Sequence, residues 1–123
     1  MNTAFVDYYE LLQVSPNADE DTIQRVGEAA FGGPYVSLIA GPCAVEDEER
    51  LLEIARAVRA AGATALRGGA FKPRTSPYSF QGTGREGLER LGRVRAAVGL
   101  PIVTEVLDPR DVEAVARVAD VLQ

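Results

Sequence analysis

The sequence predicts an α/β fold built on parallel strands, and three observations carry that expectation. From Tyr35 onward short β-prone runs alternate with apolar stripes of helical period. The stripes are bounded by helix-start and helix-stop residues. Residues that bear chemistry follow the strands at one end. Tyr35-Val36-Ser37-Leu38-Ile39-Ala40 is a short apolar run closed by Gly41-Pro42, the pattern of a buried strand. Glu46, Asp47, Glu48 and Glu49 then load the first turn of a helix whose inner stripe is Leu51, Ile54, Ala55, Val58 and Ala61. Gly62 suits the left-handed residue that ends it. A second strand covers residues 64–67. Residues 68–84 show no useful periodicity, and loops of that length are usually functional or disordered. A helix over 85–98 turns Leu88, Leu91, Val94 and Val98 inward and stops at Gly99. Pro101 leads into a strand at 102–105. Asp108 as N-cap and Pro109 in the first turn open a third helix with the stripe Val112, Val115, Ala116 and Ala119. Val121-Leu122-Gln123 begins a fourth strand.

This βαβαβαβ order asks for parallel strands joined by right-handed crossovers, either as a doubly wound sheet or as a (β/α)8 barrel. A barrel uses about 250 residues for eight units, or roughly 31 each. Residues 35–123 therefore hold about three βα units and the start of a fourth strand. Residues 1–24 read differently, as a short helical segment. Tyr8, Leu11 and Leu12 share one face, Ser15-Pro16-Asn17-Ala18 is a turn cluster, and Asp19-Glu20-Asp21 precede a helix that would contain Thr22, Ile23 and Val26 before Gly27 interrupts it.

Composition narrows the function classes. With 46% apolar and 25% charged residues the chain has ordinary globular composition, and its net charge of −5 makes it a poor bulk partner for nucleic acid or anionic lipid. No run approaches the roughly 18 apolar residues of a membrane span, and the acidic start (Asp7, Glu10) is unlike a signal peptide, so a cytoplasmic protein is expected. The one cysteine, Cys43, excludes an internal disulfide and suits a reducing compartment. Histidine is absent, which removes His-based acid–base catalysis and His metal ligands from what these residues do alone.

Three groups fall at the carboxyl ends of the expected strands: Gly41-Pro42-Cys43, the stretch from Arg67 to Ser76, and Thr104-Glu105. The middle one, Arg67-Gly68-Gly69-Ala70-Phe71-Lys72-Pro73-Arg74-Thr75-Ser76, places three cations and two hydroxyls within ten residues. Arginine forks grip phosphate or carboxylate in a bidentate way, Lys72 adds a point charge, and Gly68-Gly69 would let backbone N–H groups approach an anion. On an acidic protein this points to a pocket for a small phosphorylated anion. Arg67, in line with an apolar strand, needs an anionic partner. Cys43 is either a buried small hydrophobe or a thiolate donor for a divalent metal. Glu105 and Thr104 are either strand-end residues or part of the site.

Three stretches carry a resemblance: Ile39-Ala40-Gly41-Pro42-Cys43-Ala44-Val45-Glu46, the run from Leu66 to Gly82, and Val103-Thr104-Glu105. Together they resemble type I 3-deoxy-D-arabino-heptulosonate-7-phosphate (DAHP) synthases, of the form similar to 3-deoxy-octulosonate-8-phosphate (KDO8P) synthases, over about residues 25–123. Lys72-Pro73-Arg74-Thr75-Ser76 favours DAHP synthase, since the other enzyme has an Asn-Arg-Ser-like sequence there. The resemblance implies a partial (β/α)8 TIM barrel preceded by a short strand pair at 25–31. It implies condensation of phosphoenolpyruvate with erythrose 4-phosphate, the entry to the shikimate pathway, with a divalent metal of the Mn, Fe, Zn or Co class. By the same resemblance Cys43 is the metal ligand and Arg67 and Lys72 bind phosphoenolpyruvate. Arg74 and Thr75, flanked by Pro73 and Ser76, contact the aldose phosphate, and Lys72 and Glu105 stand at the reacting centre. The family's other ligands (a histidine, a glutamate and an aspartate) would lie beyond Gln123.

Residues 7–23 resemble instead the opening of a J-domain, without its His-Pro-Asp signature. The expectation is a synthase-like fragment, inactive alone, that self-associates through exposed strand edges. A chaperone-interaction module or a non-catalytic half-barrel are the alternatives.

Overall fold

The computed structural model describes residues 25–26, 29–30, 36–72, 74–76 and 78–123. Residues 1–24, including the J-like segment, and also Pro73, lie outside the described residues. Arg25–Val26 (β1) and Ala29–Ala30 (β2) pair antiparallel, Arg25 opposite Ala30 and Val26 opposite Ala29. The strand pair implied at 25–31 is therefore present. Val26 belongs to it rather than to a helix, in keeping with the strand preference of a β-branched residue.

Four parallel strands follow in chain order: β3 (Ile39–Ala40), β4 (Ala65–Arg67), β5 (Ile102–Thr104) and β6 (Val121–Leu122). Ala40 pairs with Leu66, Leu66 with Ile102, and Val103 with Val121. The strand order shows no reversal, which a doubly wound sheet would need at its switch point. With its helices, the sheet is an arc of a (β/α)8 barrel.

Two long helices cover one face of the arc. Asp47 caps α1 (Glu48–Ala60), its carboxylate accepting from the Arg50 N–H at 2.8 Å, and Glu48 and Glu49 sit in the positive first turn. The helix α2 (Gly84–Val98) stops at Gly99, whose φ of +67° is the left-handed conformation that glycine supplies without strain. Leu88, Leu91, Val94 and Val98 are all buried, as the period predicts. They meet Leu51 and Ala55 of α1 and Leu66 and Ile102 of the sheet in one apolar core. In α1 the stripe is narrower than expected. Leu51 and Ala55 are buried, Ile54 is only partly covered, and Ala61 is exposed.

The third helix differs most. Asp108 caps as expected, accepting from the Arg110 N–H at 2.8 Å, but Pro109–Asp111 wind as a 3-10 turn and α3 (Val112–Ala116) lasts five residues. The tighter winding rotates the apolar face. Val115 is buried and Ala119 partly so, whereas Val112 and Ala116 face outward. No helix among the described residues is long and apolar enough to cross a membrane.

The excursion from β4 to α2 closes on itself. Phe71 and Gly82 form an antiparallel bridge, the Lys72 N–H donates to the Gln81 carbonyl at 3.0 Å, and the Gly84 N–H donates to the Ala70 carbonyl at 2.9 Å. Gly82 has φ +94°, and a Cβ there would collide with the Ala70 carbonyl, so the closure requires glycine.

Candidate functional site

The arc brings Arg67, the last residue of β4, beside the segments that follow β3 and β5. Its Nη1 donates to the carbonyl oxygens of Cys43 at 2.9 Å and Pro42 at 3.4 Å, and its Nη2 pairs with Glu105 Oε1. The anionic partner that an in-line cation requires is thus Glu105. Lys72 returns from the loop to the same carboxylate, with Nζ 3.2 Å from Oε1 and 3.0 Å from Oε2. Lys72 Nζ also lies 3.6 Å from Cys43 Sγ. The side chains of Lys72, Glu105 and Arg67 are 3%, 14% and 21% exposed, so two cations share one carboxylate with little water between them. Their charges sum to one net positive, which favours an anion at this rim.

The surroundings fix these groups. Thr104 is wholly buried and donates its hydroxyl to the Gly68 carbonyl at 2.6 Å. The Val45 N–H donates to the Gly69 carbonyl at 2.9 Å, and the Thr83 hydroxyl to the Val45 carbonyl at 2.8 Å, tying the residues after Cys43 to the loop base. Gln123 joins the rim, its Oε1 accepting from Arg67 Nε at 3.2 Å and its N–H donating to the Thr104 carbonyl at 2.9 Å. Sequence reasoning missed Gln123, although its place directly after a strand was a signal.

The remaining loop residues stand apart. Arg74 and Thr75 are exposed, and among the described residues no hydrogen bond or ion pair links them to Glu105. Arg74 instead lines a cleft of about 670 Å³ together with Cys43, Asp47, Arg50 and Phe80. Ser76 builds the loop tip: its hydroxyl accepts from the Tyr78 N–H at 3.3 Å and its carbonyl from the Ser79 N–H at 3.1 Å. Of the glycine pair, Gly68 does not offer its donor as expected. The Gly68 N–H is taken by the Val103 carbonyl at 3.1 Å, because the sheet ladder continues one residue beyond Arg67.

The model of the DAHP synthetase I family matches residues 16–123. The chain belongs to the DAHP synthetase I family. It is 48% identical over 104 residues to the phospho-2-dehydro-3-deoxyheptonate aldolase of Thermotoga maritima, covering 85% of this chain and 31% of that protein. It is 42% identical over 111 residues to the 2-dehydro-3-deoxyphosphooctonate aldolase of Syntrophotalea carbinolica, covering 84% and 40%. The crystal structure of the Thermotoga maritima DAHP synthase superposes with a TM-score of 0.73 at 46% identity, over 80% of this chain and 29% of that one. The chain thus spans about a third of the length of the curated relatives it matches. The family match begins at residue 16, within the segment that resembles a J-domain.

The family resemblance implies a divalent metal. Among the described residues no three of His, Cys, Asp and Glu come together. Glu105 is committed to Arg67 and Lys72, and Cys43 is a single thiol beside an ammonium group. One donor does not make a divalent site, so the described residues alone do not fit the metal.

Proposed function

We propose that this chain supplies the phosphoenolpyruvate seat of a 3-deoxy-7-phosphoheptulonate synthase and does not complete the condensation by itself. The observation that carries this reading is the convergence of Arg67 and Lys72 on Glu105 beside Cys43 at the carboxyl ends of β3, β4 and β5. Phosphoenolpyruvate offers a carboxylate and a phosphate. The Arg67 fork suits either group and the Lys72 ammonium can follow the second. Holding the enol ester still beside its co-substrate is a large part of what such a site contributes, because two phosphorylated anions repel until cations stand between them.

In this reading Arg74 and Thr75, with Pro73 and Ser76 shaping the loop, meet the phosphate of erythrose 4-phosphate, and Glu105 stands at the reacting centre. Cys43 offers one donor toward a divalent metal. Completion of that site needs donors beyond those described, and for this reason turnover by the chain alone is not expected. The Lys72-Pro73-Arg74-Thr75-Ser76 run supports erythrose 4-phosphate as co-substrate, since the KDO8P group has an Asn-Arg-Ser-like sequence there.

A spectrophotometric assay of phosphoenolpyruvate loss with erythrose 4-phosphate and Mn²⁺ tests the reading together with a binding titration. The expected result is saturable phosphoenolpyruvate binding without turnover. Turnover above blank overturns the incompleteness, and absence of binding overturns the seat.

A further inference from the structure

Neighbouring glycines after β4 have different surroundings. Neither Gly68 nor Gly69 has a positive φ, so neither is required by backbone conformation. What distinguishes them is the space a side chain would enter. A Cβ on Gly68 would stand 3.0 Å from Leu91 Cδ2 and 3.0 Å from Val45 Cγ2, against the apolar core. A Cβ on Gly69 would stand 2.5 Å from Lys72 Cε and 2.6 Å from the Cys43 carbonyl oxygen, and closer still to Lys72 Nζ. The buried end of Lys72 therefore occupies the volume that any other residue at position 69 would fill. The Cys43 carbonyl on the other side of that volume is the one Arg67 holds at 2.9 Å.

We propose that Gly69 is a positioning residue: its missing side chain is the berth that holds the Lys72 ammonium against Glu105 and Cys43. The Lys72 tip is the movable party, being the far end of a flexible side chain, whereas the Cys43 carbonyl is backbone. A methyl group at 69 meets the lysine end most closely and displaces the ammonium from Glu105, while the backbone must also ease its 2.6 Å approach to the Cys43 carbonyl. The anion-binding consequence rests on the function proposed above, while the placement of Lys72 does not.

Lys72 is the one lysine in the sequence, so the 123-residue chain labelled with 13C at lysine Cε gives one side-chain signal. The experiment records that signal at fixed neutral pH in the wild type, Gly69→Ala and Gly68→Ala, and repeats it with added phosphoenolpyruvate. Gly69→Ala is expected to move the Cε shift and to weaken phosphoenolpyruvate by at least about tenfold, the loss expected from one charge-assisted hydrogen bond. Gly68→Ala is expected to lower Tm with the Cε signal unmoved. An unchanged Cε shift in Gly69→Ala overturns the proposal. A wild-type signal that ignores phosphoenolpyruvate counts against the proposed function alone, because the Cε shift still decides the placement.

Should Gly69→Ala not fold, the same substitution in a Lys72→Ala background decides the matter. Recovery of folding there supports the berth. Equal damage with and without the lysine end overturns it.

Discussion

Thr104 shows how single polar groups hold this rim. Its hydroxyl is buried with the Gly68 carbonyl as partner at 2.6 Å. Thr104→Val keeps the shape but leaves that carbonyl without its partner, so a loss of about 1–3 kcal/mol is expected, read from chemical denaturation. Thr104→Ser should recover most of it. Equal losses in the two variants would mean that the methyl group matters and the hydroxyl does not. At this scale the sequence was partly legible. A cation in line with apolar strand residues demands a counter-ion, which correctly foretold that Arg67 is paired. That the counter-ion is Glu105 was hidden, because it depends on β4 and β5 ending at the same level. The space beside Gly69 was equally hidden, since nothing local marks a glycine kept for a side chain three residues later.

The elements separate into those fixed by local pattern and those fixed by distant contacts. The stripe of α2 repeats over about three turns and was read correctly from its period alone. Leu91, wholly buried at its centre, gives the expectation that Leu91→Ala costs about 2–5 kcal/mol, measured by denaturant unfolding. α3 was misread because its first turn winds as a 3-10 helix, which an apolar period cannot reveal. The loop closure through Phe71 and Gly82 was illegible because it pairs residues on either side of the tip.

Between α1 and α2, Arg93 grips Glu48 with Nε and Nη2 2.9 and 2.7 Å from Oε2. The hydrogen bond from Arg93 holds the Glu48 carboxyl below its ordinary range. A depressed carboxyl stabilises the fold above its unfolded pKa, and that contribution disappears as pH falls through the folded value. The stability difference between wild type and Glu48→Gln should accordingly be constant near neutrality and vanish in acid. A difference that persists in acid would show that the ion pair is not its source.

On the scale of the whole molecule, the arc presents apolar groups at β3 and just before it, where Val36, Leu38 and Ile39 are 91%, 44% and 42% exposed. Exposed strand edges with apolar neighbours invite pairing with another chain. Light scattering is expected to show self-association that rises with concentration and is reduced by Val36→Lys, and a concentration-independent monomer would contradict this. The α/β class and the barrel arc were legible because alternation of elements is a chain-wide pattern, whereas the site required register. The proposed function depends on Arg67 and Lys72 forming a seat for a phosphorylated carboxylate. Calorimetric titration of phosphoenolpyruvate into the wild type and Arg67→Ala, at low and high salt, tests this most directly. Saturable binding that weakens with salt and falls at least about tenfold in Arg67→Ala is predicted; a flat wild-type titration, or equal affinities in the two proteins, would contradict it.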